Sequence, residues 1–225
     1  MTDTPKLDEA VEFAGNPEPR CPCVLLLDTS GSMQGTPIAA LNEGLRTFKD
    51  DLIKNPLASL RVEVAVVTFD DDVKVVQDFV TADQFEPPTL TAQGLTLMGA
   101  AIHKALDMIQ ARKAQYRANG VLYYRPWVFM ITDGEPQGEP NEVMEQAAQC
   151  IKDDETNKHI VFFAVGVENA NITRLSQVIV RTPLKLKGLR FTELFVWLSD
   201  SLGKVSGSKV GEQVPLSPPG WGTAS

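Results

Sequence analysis

The stretch Cys23-Val-Leu-Leu-Leu-Asp28-Thr-Ser30-Gly-Ser32-Met33 constrains this chain more than any other. A short apolar run bounded by turn residues reads as a strand buried on both faces of a parallel sheet. It ends in a carboxylate, two hydroxyls and a glycine. In open α/β sheets the crevice at the carboxyl ends of the strands is where ligands bind. The spacing Asp28-x-Ser30-x-Ser32 puts one anionic and two neutral oxygens close together in the chain. Such a set suits a hard divalent cation, which takes oxygen ligands and, if it is Mg2+, keeps some of its waters.

Two later stretches carry the same chemistry. Gly94-Leu-Thr96-Leu-Met-Gly99 is a hydroxyl-bearing loop before a helical pattern, and Trp127-Val-Phe-Met-Ile-Thr-Asp133-Gly-Glu135 is a second apolar strand ending in carboxylates. In this order the three stretches resemble the metal-ion-dependent adhesion site of von Willebrand factor type A (VWA) domains. The resemblance covers about residues 22–205. It implies Ser30, Ser32 and Thr96 as oxygen ligands of Mg2+, or of Mn2+ in its place. Asp28 and Asp133 would hold metal-bound waters and supply negative charge, and Glu135, Gly31 and Met33 would form the rim met by a partner. An ion held by so few anionic groups keeps much of its charge and attracts a partner's carboxylate.

Strands alternating with helices define an α/β class, a doubly wound, mostly parallel, Rossmann-like sheet. Thr36-Pro37 is a helix start, and Ile38, Leu41, Leu45, Phe48 and Leu52 make its buried stripe. Asn55-Pro56 stops that helix. Leu60 to Phe69 and Val73 to Val80 are strands separated only by Asp70-Asp71-Asp72, too short for a crossover, so they form an antiparallel edge hairpin. A solvated hairpin tip accounts for this acidic triplet better than a second metal site. A helix follows Thr96, the second site strand spans Trp127 to Thr132, and a third helix spans Asn141 to Asp154. Ile160 to Val167 is a further buried strand. Asn171 to Val180 reads as a short helix, Leu184 to Lys187 as an edge strand, and Phe191 to Val205 as an amphipathic helix.

These elements divide the chain into an extended lead-in over 1–20, a domain over 21–206 and a Gly/Ser/Pro-rich tail over 207–225. Such a tail composition ordinarily means mobility. Trp221, flanked by Gly220 and Gly222, is the group best able to anchor it, on its own domain or on a neighbouring chain.

Composition narrows the function classes. With 21 basic and 29 acidic residues the formal charge is −8, which argues against nucleic-acid or anionic-membrane partners. No apolar run reaches the roughly 20 residues of a membrane span, and the first residues lack a signal-type apolar core, so a cytoplasmic location is expected. Cys21, Cys23 and Cys150 form neither a CxxC pair nor a zinc set and read as reduced packing residues.

A Mg-dependent phosphohydrolase is the competing reading, and it wants a base beside the ion. His103 falls on a helix face, His159 at the far end of a strand, and Glu135 is the nearest unassigned carboxylate. No phosphate-binding loop, HExxH or GxSxG is present. A binding module, and no enzyme, is therefore the expectation, with a protein partner offering Asp or Glu. The segment 183–199 together with Pro218-Pro-Gly-Trp221-Gly is also similar to the bacterial TerY-type branch of tellurium-resistance clusters. That likeness implies stress-response signalling and partners among kinase or phosphatase components.

Overall fold

A computed structural model describes residues 13–133, 135–167 and 170–224. Most of the expected lead-in, residues 1–12, lies outside them. Seven strands form one sheet in the order β3-β2-β1-β4-β5-β6-β7. They are β1 (Cys21–Asp28), β2 (Val62–Phe69), β3 (Val73–Thr81), β4 (Trp127–Thr132), β5 (Val161–Gly166), β6 (Leu184–Leu186) and β7 (Gly222–Ala224). The inner pairs β2–β1, β1–β4, β4–β5 and β5–β6 are parallel. Both outer strands, β3 on β2 and β7 on β6, are antiparallel.

The period-two alternation of the strands sorts their side chains onto two cores. Cys23, Leu25, Leu27, Val64, Val66, Phe129 and Ile131 point to one face. There they meet Leu41, Leu45 and Phe48 of α1 (Thr36–Leu52), and Phe195, Leu198 and Leu202 of the last helix, Phe191–Gly207. Val24, Leu26, Ala65, Val67, Val128 and Met130 point to the other. That face is covered by helices Met98–Ala118, Asn141–Thr156 and Ile172–Val178. With the short α2 (Pro56–Arg61) second in chain order, these are α3, α4 and α5, and the last helix is α6. Gly44 sets the spacing of α1 and α6: a Cβ there would lie 2.5 Å from the Phe195 ring.

The structure differs from the sequence reading in four places. Asn55-Pro56 ends α1 but also starts α2, because Asn55 Oδ1 accepts the amides of Leu57 and Ala58 at 3.0 and 3.1 Å. Thr36 lies inside α1, and Gly35, with φ of 80°, takes the position before it. Cys21 and Cys23 are packing residues, whereas Cys150 is exposed. The sheet also has two antiparallel edges where one was expected. Leu184–Leu186 is not an edge strand, because Gly222–Ala224 of the tail pairs along it. Trp221, only 2% exposed, packs edge-on against Trp197 at 5.6 Å. Among the described residues no helix is long and apolar enough to cross a membrane.

Candidate metal centre

From β1 the chain order runs outward in both directions, to β2 and β3 on one side and to β4, β5 and β6 on the other. The carboxyl ends of the neighbours β1 and β4 therefore border the crevice where ligands of such sheets bind. Asp28 is the last residue of β1, and Asp133 directly follows β4.

Hydrogen bonds join these two ends. Asp28 Oδ1 accepts the Ser30 amide at 2.8 Å, which turns the chain sharply out of the strand. Its Oδ2 accepts the Thr132 hydroxyl from β4 at 2.6 Å. The Ser30 and Ser32 hydroxyls are 3.0 Å apart, and Ser32 Oγ donates to Asp133 Oδ1 at 2.8 Å. Asp28 is fully buried. Burial pushes its carboxyl up to about 6, against the opposing pull of the Ser30 and Thr132 hydrogen bonds, while the charge of Asp133 adds to the rise.

Thr96 is buried and sits between the two serine- and aspartate-bearing loops. Its backbone pairs with Gln137, the Thr96 amide donating at 3.3 Å and the Gln137 amide at 3.0 Å. Its own loop is fastened to the first by the Gly31 amide, which donates to Gly94 O at 3.0 Å. Among the described residues no hydrogen bond joins the Thr96 hydroxyl to the Ser30–Ser32–Asp133 chain. One of the rim residues differs from expectation. Met33 is fully buried in the α1-side core and is no part of a rim, because the short turn Gly31–Met33 rotates its side chain inward. Glu135 is exposed, and its Oε1 accepts Asn171 Nδ2 at 2.5 Å. Gly31 is half-buried between the loops.

The acidic triplet is a solvated tip only in part: Asp71 and Asp72 are exposed. Asp70 is buried, its Oδ1 accepting the Asp72 amide at 3.0 Å and its Oδ2 the Thr29 hydroxyl at 3.3 Å. Asp71 Oδ1 accepts the Leu95 amide at 2.9 Å. The same carboxylate lies against Gly94, where a Cβ would stand 2.2 Å from its Oδ2 and where φ is +74°. Glu139 is a further supporting residue: it accepts the amides of Gly99 and Ala100 at 2.6 and 3.1 Å, and so caps α3 just after Thr96. Gly94 was visible in the sequence as part of this loop, whereas the acidic triplet read only as a hairpin tip. Glu139 was not, since its partners lie some 40 residues away.

The donor set fits a divalent cation. Oxygens on neighbouring corners of an Mg2+ octahedron with bonds of about 2.1 Å stand about 3 Å apart. The Ser30–Ser32 pair has that separation. Among the described residues no group of three or more His, Cys, Asp or Glu side chains could hold a metal. Two carboxylates and neutral hydroxyls are thus the chemistry this crevice offers.

The sequence profile of the von Willebrand factor type A domain matches residues 23–187. The chain belongs to the VWA family. No curated protein sequence matches it. Among solved structures, a von Willebrand factor type A protein from Catenulispora acidiphila superposes with a TM-score of 0.65 at 18% identity, over 83% of this chain and 43% of that one. The pilus adhesin SpaC from Lactobacillus rhamnosus GG gives 0.66 at 13%, over 84% and 31%. The vWF domain of the type V pili tip protein Mfa5 from Porphyromonas gingivalis gives 0.63 at 11%, over 88% and 99%. At these identities the likeness is one of fold. This VWA chain spans less than half the length of the first two structures.

Proposed function

We propose that this VWA domain binds Mg2+ or Mn2+ through Asp28, Ser30, Ser32, Thr96 and Asp133 and uses it to capture an acidic side chain of a protein partner. VWA domains are typically protein-binding modules. The observation that carries the proposal is the run of oxygens from Ser30 through Ser32 to Asp133, beside a buried Asp28 carboxylate. The bound cation supplies an electrophilic point that accepts a carboxylate oxygen. The protein's own groups arrange it: the Asp28–Thr132 bond ties β1 to β4, and the Asp71 and Glu139 carboxylates hold the loop of Thr96. Glu135 stands at the exposed edge, tied to Asn171, where its charge favours some acidic ligands over others by repulsion.

The likeness of residues 183–199 and 218–222 to TerY-type proteins supports a role in tellurite or related stress responses. It supports kinase or phosphatase components as partners and a cytoplasmic setting. The reading is of binding and not of catalysis: Glu135, the unassigned carboxylate closest to Asp133 in the sequence, is engaged with Asn171.

Calorimetric titration with Mg2+ and Mn2+ is the direct test. Saturable binding to the wild-type chain, lost in Ser32→Ala and Asp133→Ala, is expected. Retention of a partner on the immobilised chain with Mg2+, and its release by EDTA, is expected as well. Equal metal binding by wild type and Asp133→Ala would overturn the assignment.

A further inference from the structure

A second cleft lies at the other end of the sheet. Trp127 and Val161, the first residues of β4 and β5, stand at its floor with Phe163. The six residues of β4 put this floor about 20 Å from Asp133. Val205 of α6 and Val214 and Leu216 of the tail form an apolar wall. The cleft volume is about 560 Å³, within the roughly 300–1,000 Å³ of small-molecule sites.

Three cations line the same cleft: Arg125, Lys158 and Arg181. Glu155 is the carboxylate that the two arginines share, its Oε2 taking Arg125 Nη2 at 3.3 Å and its Oε1 taking Arg181 Nε at 3.0 Å. Oε1 also accepts the Phe162 amide at 2.6 Å, so Glu155 is fully used. Two donors remain. Arg125 Nε is buried without a hydrogen-bond partner. Lys158 makes no ion pair among the described residues, and with φ of 58° it is the non-glycine residue held in the left-handed region there, just past the end of α4. Glycine or asparagine is the usual occupant of such a position. Glu212 on the tail is the opposing charge at the cleft, and it caps the Lys209 amide at 2.9 Å. On a chain of net charge −8, an excess of positive charge over an apolar floor marks the place as selective for anions.

We propose that this cleft is a binding site for a small amphipathic anion, an apolar body carrying one anionic head. The body would lie between Phe163 and the Val214–Leu216 wall, with the head at Lys158 and Arg125. Binding there would also hold the tail against the domain, because residues 211–216 form one side of the cleft.

The test uses the full chain and 8-anilino-1-naphthalenesulfonate, an aromatic body with a sulfonate head. Saturable, one-to-one enhancement of its fluorescence is expected. Lys158→Gly and Arg181→Met should each weaken it about three-fold or more, by loss of one charge. Lys158→Gly also relieves the positive φ, so its melting temperature should not fall. Val214→Asp should abolish binding while far-UV circular dichroism stays unchanged. Decanoate should displace the probe and inorganic phosphate at equal concentration should not. Unchanged affinity in Lys158→Gly and Arg181→Met, multiple weak sites, or displacement by phosphate as effective as by decanoate would overturn the proposal. Loss of probe binding in Asp133→Ala would do so too, by placing the probe at the metal centre.

Discussion

Asp28 is a buried carboxylate that accepts the Ser30 amide and the Thr132 hydroxyl and stands near the charge of Asp133. Its carboxyl is pushed up to about 6 from an ordinary 3.8, mainly by burial. Relative to the unfolded chain, folding therefore favours the protonated form. The metal-free protein should lose stability from this group as pH rises from about 4 to about 6, by at most about 3 kcal/mol. Asparagine at this position keeps both contacts, accepting from the Ser30 amide and donating to the Thr132 hydroxyl, without the buried charge. Asp28→Asn in EDTA at pH 7 should therefore be more stable than wild type by about 1–3 kcal/mol in urea unfolding. Added Mg2+ should stabilise wild type and leave the variant unmoved. A variant less stable than wild type in EDTA would show that the carboxylate serves the fold and not an ion.

Two elements depend on residues distant in sequence. Helix α3 has no side-chain cap from its own flanking residue Leu97, and Glu139 supplies one across the crevice. A carboxylate on free amides at a helix N-terminus is worth about 1 kcal/mol or somewhat more. Glu139→Ala should cost about 1–2 kcal/mol and also weaken Mg2+ binding, because the same bond fixes the segment after Thr96. A loss of stability with metal affinity unchanged would separate Thr96 from the site. Strand β7 is held by Trp221, whose ring is buried against Trp197. Trp221→Ala should cost about 3–5 kcal/mol, as large buried aromatics do on truncation. It should also free the edge of β6 and promote association, visible by size-exclusion chromatography. A monomeric variant of wild-type stability would mean that the tail contributes nothing to the sheet.

At the scale of the molecule the two ends of the sheet do different work. At the amino ends of β1 and β2, Glu63 is fully buried and receives Arg20 at 2.9 Å, Arg112 at 2.8 and 2.9 Å, and the Tyr116 hydroxyl at 2.5 Å. Phe13 lies against both guanidiniums. Removing a buried carboxylate from such a cluster takes away the charge that both guanidiniums share and costs about 3–5 kcal/mol. Glu63 lies six residues before Phe69, which pairs with Asp28, so about 20 Å separates it from the candidate metal centre. Glu63→Gln should lower stability by that amount with Mg2+ affinity unchanged. Asp133→Ala should do the reverse, as chemical denaturation and calorimetry on both variants would show. Coupled loss in both variants would mean that the sheet transmits strain from end to end.

What the sequence determined alone was whatever depends on near neighbours in the chain. Short apolar runs within β1 and β2 marked strands buried on both faces, and the three residues between β2 and β3 forced their antiparallel pairing. Asp28, Ser30 and Ser32 were legible as a group because a single turn brings them together. Asp133 was legible because it ends a second such strand. The tertiary structure decided whatever depends on contacts between distant segments. The covering of β6 by residues 222–224, the burial of Met33, the anchoring of Thr29 and Leu95 by Asp70 and Asp71, and the capping of α3 by Glu139 have no periodicity or local spacing to announce them. Each rests on one carboxylate, one backbone edge or one side chain meeting a partner that only the folded sheet brings within hydrogen-bonding or van der Waals reach.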